Sequence, residues 1–356
     1  MKKEELFAIF RKAKETGASD IHFNVGEVPV LRLTGKMVKI NLPKLTAEDA
    51  IDIINYTTNE EARKRVLTST DSDYSFELEG VSRFRFNVAK SFGAFSIVIR
   101  LISFDIPSFE SLKLPKEMEN FTKFENGIIL VTGVTGSGKS STIASILDSI
   151  NQTKQKHIIT IEDPVEFVYQ NKKSVFTQRQ VGADVESFNS GLKYALRQDP
   201  DVILIGEIRD MDTIKSALYA AETGHLVLAS LHAANAIQTI NRVLSFFEPS
   251  ERPTVRAQFA EVFRGTASQR LIPHISGKGR VPALELMFTT PTVKDYMIKD
   301  RLEDIYRLVQ KDTHSGMITF NNALYTLIQN GEISQEVALQ ASDNQDELMR
   351  IIRGAY

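Results

Sequence analysis

Residues 133 to 142 read GVTGSGKSST and follow directly on the apolar run NGIILVT. Gly133, Gly138, Lys139 and Ser140 fill the pattern G-x-x-x-x-G-K-[ST], and the flanking residues predict a strand before it and a helix after it. Glycines at those places let a loop turn tightly, so that successive backbone N–H groups point inward at anionic oxygens. The N-terminus of a following helix favours the same charge. Thr135, Gly136, Ser137 and Ser141 complete the expected cradle. Lys139 is expected to reach the β- and γ-phosphates, and the Ser140 hydroxyl to ligate Mg²⁺. The expected ligand is a nucleoside triphosphate; the bland alternative is a glycine-rich turn that binds nothing.

Three further segments carry titratable groups. DVILIGEIRD has the form of a Walker B strand with Glu207 in place of the aspartate, expected at the carboxyl end of a strand beside the phosphate-loop strand. There Glu207 would hold the water shell of the magnesium or take a proton from the attacking water; otherwise it caps the next helix. HIITIEDPVEF is a second apolar strand ending in Glu162, Asp163 and, after a proline, Glu166. Three carboxylates at one strand end repel each other unless a cation or arginines lie opposite, or unless they form a solvated loop. Glu162 and Asp163 are therefore candidate metal ligands. TGHLVLASLH puts His225 at the start of a strand and His232 just past its end. His225 reads equally well as a hydrogen-bonded structural residue, whereas His232, at the end where ligands gather, is placed to sense a γ-phosphate.

The elements that must position these groups are legible as a change of texture along the 356 residues. Leu6, Ile9, Phe10 and Ala13 repeat at helical spacing up to Gly17, and VPVLRLTGKMVKI reads as a hairpin about Gly35. A helical stretch is expected from about Thr46 to Thr68, then two antiparallel strands around Gly93, so residues 1–103 form a small α+β domain. FDIPSFESLKLPKEMENF has two prolines and little periodicity, which makes 104–121 the expected linker. Residues 122–356 form the second domain. In it GIILVTG, HIITIED, DVILIGE and HLVLASL alternate with helices beginning near Lys139, Ser187, Asp212 and Asn235. Continuous apolar strands separated by helices predict an α/β fold with a parallel sheet covered on both faces. From about Thr292 onward the pattern is helical.

Composition narrows the function classes. With 42% hydrophobic and 25% charged residues the chain is an ordinary globular one, long enough for two domains. Its 43 basic and 45 acidic residues nearly balance, and no basic stretch is interleaved with aromatics, so no nucleic-acid partner is expected. The absence of cysteine excludes disulfides, thiolate metal sites and cysteine nucleophiles. MKKEELFAIFRKAKETG lacks the apolar core of a secretory signal, and no apolar run approaches a membrane span, so a cytoplasmic chain is expected.

Taken in order, GVTGSGKSS, TIEDPVEF, LIGEIRD and TGHLVLASLHAANA closely resemble the secretion and type IV pilus motor ATPase family, with its Walker A, Asp box, atypical Walker B and His box. GASDIHF, RFRFNV and ALRQDPDVILIGEIRD extend the resemblance over most of the chain. It implies a ring hexamer of subunits with a PAS-like amino-terminal domain and a RecA-like motor domain, hydrolysing ATP with Mg²⁺. The chain has no cysteine for that family's four-cysteine zinc motif, and it starts just before GASDIHF. Both features favour the retraction branch, and the alternative is a pilus-extension or type II secretion ATPase. Two features depart from the family: AANA follows His232, and TVKDYMIKD only loosely matches the tail motif linked to retraction. The implied partners are further copies of the chain, an inner-membrane pilus platform protein and a paralogous retraction ATPase, which would place it at the inner face of the cytoplasmic membrane. A nucleic-acid motor and a regulatory nucleotide-binding subunit are the remaining classes.

SRFRFNV alternates so that Phe84, Phe86 and Val88 share one face and Arg83, Arg85 and Asn87 the other. Arg100, after FSIVI on the partner strand, can add a third guanidinium. These three are the expected arginine fingers, brought to the nucleotide as the linker hinges.

Overall fold

The computed structural model describes residues 1–33, 35–102, 105–312 and 314–354. Positions 103 and 104, where the sequence places the boundary between first domain and linker, lie outside the described residues, as does 356, the expected end of the second domain. Two compact units are present: Met1–Asp105 with Glu166–Val168, and Ile106–Val165 with Tyr169–Tyr356.

The first unit runs α1 (Lys3–Glu15), β1 (Ala18–Asn24), β2 (Val30–Leu33), β3 (Lys36–Lys39), α2 (Ala47–Thr57), α3 (Glu60–Thr68), β4 (Asp71–Leu78), β5 (Ser82–Ser91) and β6 (Ala94–Ile102). Its strands form one antiparallel sheet in the order β3-β2-β1-β6-β5-β4. The helical pattern expected over 46–68 breaks in two because Asn59 caps a new start, its side chain accepting from the Ala62 N–H. Alternation in β5 sends Phe84, Phe86 and Val88 into the core. There the Phe10 ring of α1 lies 4.4 Å from that of Phe84, and Tyr74 of β4 stacks 4.7 Å from Phe86.

The second unit begins within the stretch read as a linker. Pro115 opens a 3-10 helix, Lys116–Lys123, that buries Met118 and Phe121, and the Phe121 ring lies 4.8 Å from Phe288. A short tight helix with two buried side chains leaves little periodicity in the sequence, hence the reading as a connection. After it come β7 (Gly127–Thr132), α4 (Lys139–Thr153), β8 (His157–Glu162), β9 (Val175–Gln180), α5 (Phe188–Ala195), β10 (Val202–Ile205), α6 (Met211–Glu222) and β11 (Leu226–Leu231). Next are α7 (Ala236–Ser245), α8 (Arg252–Val262), β12 (Phe263–Pro273) and β13 (Arg280–Phe288). The helices α9 (Pro291–Ile298), α10 (Leu302–Lys311), α11 (Phe320–Gln329), α12 (Gln335–Ala341) and α13 (Gln345–Ile352) follow.

The sheet order is β13-β12-β7-β11-β10-β8-β9, parallel except for the β12–β13 pair. Every residue of β7, β10 and β11 is buried, which requires cover on both faces. One expectation is corrected: β11 pairs with both β7 and β10, so the strand that leads to Glu207 is not beside the phosphate-loop strand. The carboxyl ends still converge. Gly206 donates to Ile161 O (2.8 Å), Ser230 Oγ donates to Gly206 O (2.5 Å), and Ile208 N donates to Ser230 O (3.0 Å), tying β8, β10 and β11 together where ligands bind such sheets.

Candidate functional site

Thr132 ends β7 and Lys139 starts α4, so residues 133–138 make the loop between them. Gly133 has φ 145°, and a Cβ there would sit 2.5 Å from both Gln269 O and Ser137 Oγ. Gly138 caps α4 in the left-handed region at φ 89°, with Gln269 Nε2 at 2.8 Å from any added Cβ. Both positions therefore admit only glycine. Lys139 Nζ donates to Gly133 O (2.9 Å) and Val134 O (3.0 Å), its charge resting on the loop's own carbonyls. Thr135 and Gly136 are exposed, Ser140 and Ser141 lie half-buried on the first turn of α4, and Ser137 Oγ is buried with no hydrogen-bond partner among the described residues. A helix N-terminus, a lysine and an unpaired buried hydroxyl together fit an anion of several oxygens.

Across the strand ends stand the acids. Glu207 is bound on both oxygens: Oε1 lies 2.9 Å from His232 Nε2, and Oε2 accepts from Arg209 Nε (2.8 Å) and Nη2 (2.7 Å). Arg209 Nη1 also lies 3.5 Å from Asp163 Oδ2. The hydrogen bond that Arg209 donates to Glu207, more than burial, sets the balance and holds the guanidinium above its ordinary pKa. The arginine needed to relieve the bunched carboxylates is thus in the GEIRD segment itself. Sequence reasoning missed it, although two residues of spacing from Glu207 is a visible signal. Capping of α6, the alternative for Glu207, is done by Asp210, which accepts from Thr213 N at 2.8 Å.

Glu162 is buried, its Oε1 accepting from Thr160 Oγ1 (2.6 Å) and Gln178 Nε2 (3.3 Å). Glu166 belongs with the first unit. His225 Nδ1 lies 2.9 Å from Ala220 O and 3.2 Å from Thr223 Oγ1, before β11 rather than at its carboxyl end. Ser140, Asp163, Glu162 and Glu207 are hard oxygen donors, the chemistry that Mg²⁺ takes. Among the described residues no group of three or more His, Asp or Glu could hold a metal. Magnesium in nucleotide sites draws most of its ligands from phosphates and water, so the donor set fits a shared ion.

In the first unit Arg85 and Arg100 are register partners across β5 and β6, and Arg83 pairs with Glu77 of β4. Arg100 Nε donates to Asp20 Oδ1 (2.9 Å), and Arg85 Nε lies 3.5 Å from Asp73 Oδ1. Asp20 is buried and also faces Arg32. Arg100 is therefore committed to a buried carboxylate, whereas Arg85 faces the half-exposed Asp73 at a longer distance.

A buried carboxylate that sequence reasoning passed over anchors the segment after His232. Glu285 on β13 accepts from Ala236 N (2.6 Å) at the start of α7, and burial pushes its pKa up to about 7. Arg270 and Asp343 are the charges facing it, the first lowering and the second raising that value. A carboxyl raised in the folded state gives stability that is highest below its unfolded value and declines as pH rises through the folded one. Melting temperature is therefore expected to fall between about pH 4.5 and 7 through this group, and Glu285→Gln to flatten that slope in a pH series of thermal melts.

Comparison with known proteins extends the picture. Residues 2–346 match the family model described as type II/IV secretion system protein. The chain is 41% identical over 322 residues to the type IV pilus retraction ATPase PilT of Pseudomonas aeruginosa, covering 90% of this chain and 93% of that one. It is 34% identical over 349 residues to the type IV pilus ATPase PilU of the same organism, covering 98% and 91%. A crystal structure of the pilus retraction motor PilT with bound ADP superposes with a TM-score of 0.90 at 42% identity, covering 98% of this chain and 99% of that one.

Proposed function

The chain belongs to the type II/IV secretion system protein family, and from that premise we infer that it is a P-loop ATPase that drives type IV pilus retraction, the motion behind twitching. What carries the reading is a likeness to a retraction ATPase along nine-tenths of the chain, joined to a glycine-restricted loop with Lys139 at its helix start. Deleting the gene separates the branches. Loss of retraction with surface pili retained supports the motor assigned here, and loss of the pili themselves points to an extension ATPase.

The residues divide the work as follows. Backbone N–H groups of 133–141 and Lys139 hold the phosphates, orienting the terminal one at the strand ends. Mg²⁺, held by Ser140 with Glu207, Asp163 and Glu162 nearby, would neutralise charge on the transferring phosphoryl group. Glu207 takes the proton of the attacking water, which requires Arg209 or His232 to release one of its oxygens. His232 is positioned to exchange that carboxylate for the terminal phosphate. Copies of the chain assemble as a hexameric ring at the cytoplasmic face of the membrane, against a platform protein and beside a paralogue of the PilU kind. No helix of the described residues is long and apolar enough to cross a membrane.

Arg83, Arg85 and Arg100 serve as fingers that neutralise transition-state charge. Alanine at Arg83 or Arg85 is expected to lower turnover about 100-fold or more with ADP affinity unchanged. Alanine at Arg100 should in addition destabilise the first unit by leaving buried Asp20 with only the longer contact to Arg32 as an ion pair. Steady-state rates beside ADP titrations check this, and normal rates in all three variants would end the finger assignment.

A further inference from the structure

The glycines of the phosphate loop are shaped by a residue outside every motif described above. Gln269 lies near the end of β12, beside β7, and is almost wholly buried. Its backbone oxygen is the atom a Cβ on Gly133 would strike, at 2.5 Å, and its side-chain Nε2 is the atom a Cβ on Gly138 would strike, at 2.8 Å. Its Oε1 accepts from Thr142 Oγ1 at 2.6 Å, within the first turn of α4. One side chain and its own carbonyl thus press on the first glycine, the last glycine and the helix that follows.

Neighbouring hydroxyls hold β12 in that place. Ser268 Oγ accepts from Thr132 Oγ1 (2.8 Å) at the end of β7, and Thr266 Oγ1 donates to Leu130 O (2.8 Å). The strand carrying Gln269 is therefore fixed to the strand carrying the loop by buried polar contacts, and these are costly to break. Arg270, next along the strand, points elsewhere: Nη1 donates to Ala341 O (2.8 Å) and Nη2 to Asp343 (2.6 Å).

We propose that Gln269 is a positioning residue for nucleotide binding: its amide holds the phosphate loop and the first turn of α4 in the curvature that presents their N–H groups to phosphate. The role rests on the nucleotide-binding reading given above. It makes binding depend on a side chain that packs behind the loop, because a loop free to relax must be ordered again by each ligand.

The test is ADP affinity, by titration calorimetry on the full chain with Mg²⁺ present, beside the melting temperature without nucleotide. Gln269→Leu keeps the volume and removes the amide; Thr142→Val removes the same hydrogen bond from the other partner. Each is expected to weaken ADP binding about tenfold, and the double variant no more than either alone, since one contact is shared. Gln269→Glu keeps the acceptor for Thr142 but sets a negative charge beside the loop, and should weaken ADP binding about a hundredfold, beyond the loss in Thr142→Val. ADP affinities within twofold of wild type in Thr142→Val and Gln269→Glu overturn the proposal. So do losses in Thr142→Val and Gln269→Leu that multiply in the double variant. Should Gln269→Leu not fold, the other two variants decide. A wild-type chain that binds no ADP would instead defeat the functional reading itself.

Discussion

Lys139→Ala is expected to lower the kcat/KM for ATP by about 100-fold or more. The ammonium rests 2.9 Å from Gly133 O and 3.0 Å from Val134 O, so it is already inside the loop that an incoming phosphate must enter. A polyphosphate offers it a full anionic partner in place of two neutral carbonyls, and charge-assisted hydrogen bonds are roughly twice as strong as neutral ones. Alanine removes both the attraction and the charge that offsets the terminal phosphate during transfer, so ATP affinity should fall further than ADP affinity. Arginine at 139 is not expected to rescue, because its planar fork does not match a point-charge site enclosed by backbone. Parallel ATP and ADP titrations with steady-state rates check this; equal fold-losses of affinity for the two nucleotides, relative to wild type, would remove Lys139 from the terminal phosphate.

Glu207→Gln is expected to part binding from chemistry. The amide fills the same space and its oxygen can still accept from Arg209, which lies 2.7 to 2.8 Å from the carboxylate in the native chain. What the amide cannot do is accept a proton from water. Loss of a positioned general base costs about 10²- to 10⁴-fold in rate, so turnover should fall within that range while ADP and ATP affinities stay near wild type. Full activity would transfer the base role to Glu162 or Glu166. Of these, Glu162 is already held by Thr160 and Gln178.

Much of this was readable because the central strands are buried on both faces and therefore spell continuous apolar runs, as GIILVT and HIITIE do. Helix starts were readable for a local reason, since Ser187, Asp210 and Asn235 each accept from a backbone N–H of the first turn. β12 escaped notice because FRGTASQRLIP hides its burial behind Thr266, Ser268 and Gln269, whose polar atoms are satisfied by β7 and α4. Strand order escaped for another reason. Nothing local tells β10 that β11 will come between it and β7; that follows from how crossover helices pack. In the first unit the alternation of SRFRFNV placed Arg83 and Arg85 on one face, yet only cross-strand register shows Arg100 beside Asp20 and opposite Arg85.

The same geometry bears on what switches the site on. Glu207 is held on both oxygens, so neither is open to a water until one partner leaves. Arg209 and His232 are cationic or polar groups at the strand ends, where a terminal phosphate competes for them. On the proposed mechanism ATP, with one phosphate more than ADP, would be the ligand that frees Glu207.

Phosphate release by the purified chain, followed against ATP concentration with Mg²⁺ and then with added ADP, tests the central claim most directly. Saturable turnover is expected, inhibited by ADP through competition and lowered about 10²- to 10⁴-fold by Glu207→Gln. A chain that releases no phosphate at any protein concentration, or turnover untouched by Glu207→Gln and Lys139→Ala alike, would contradict it.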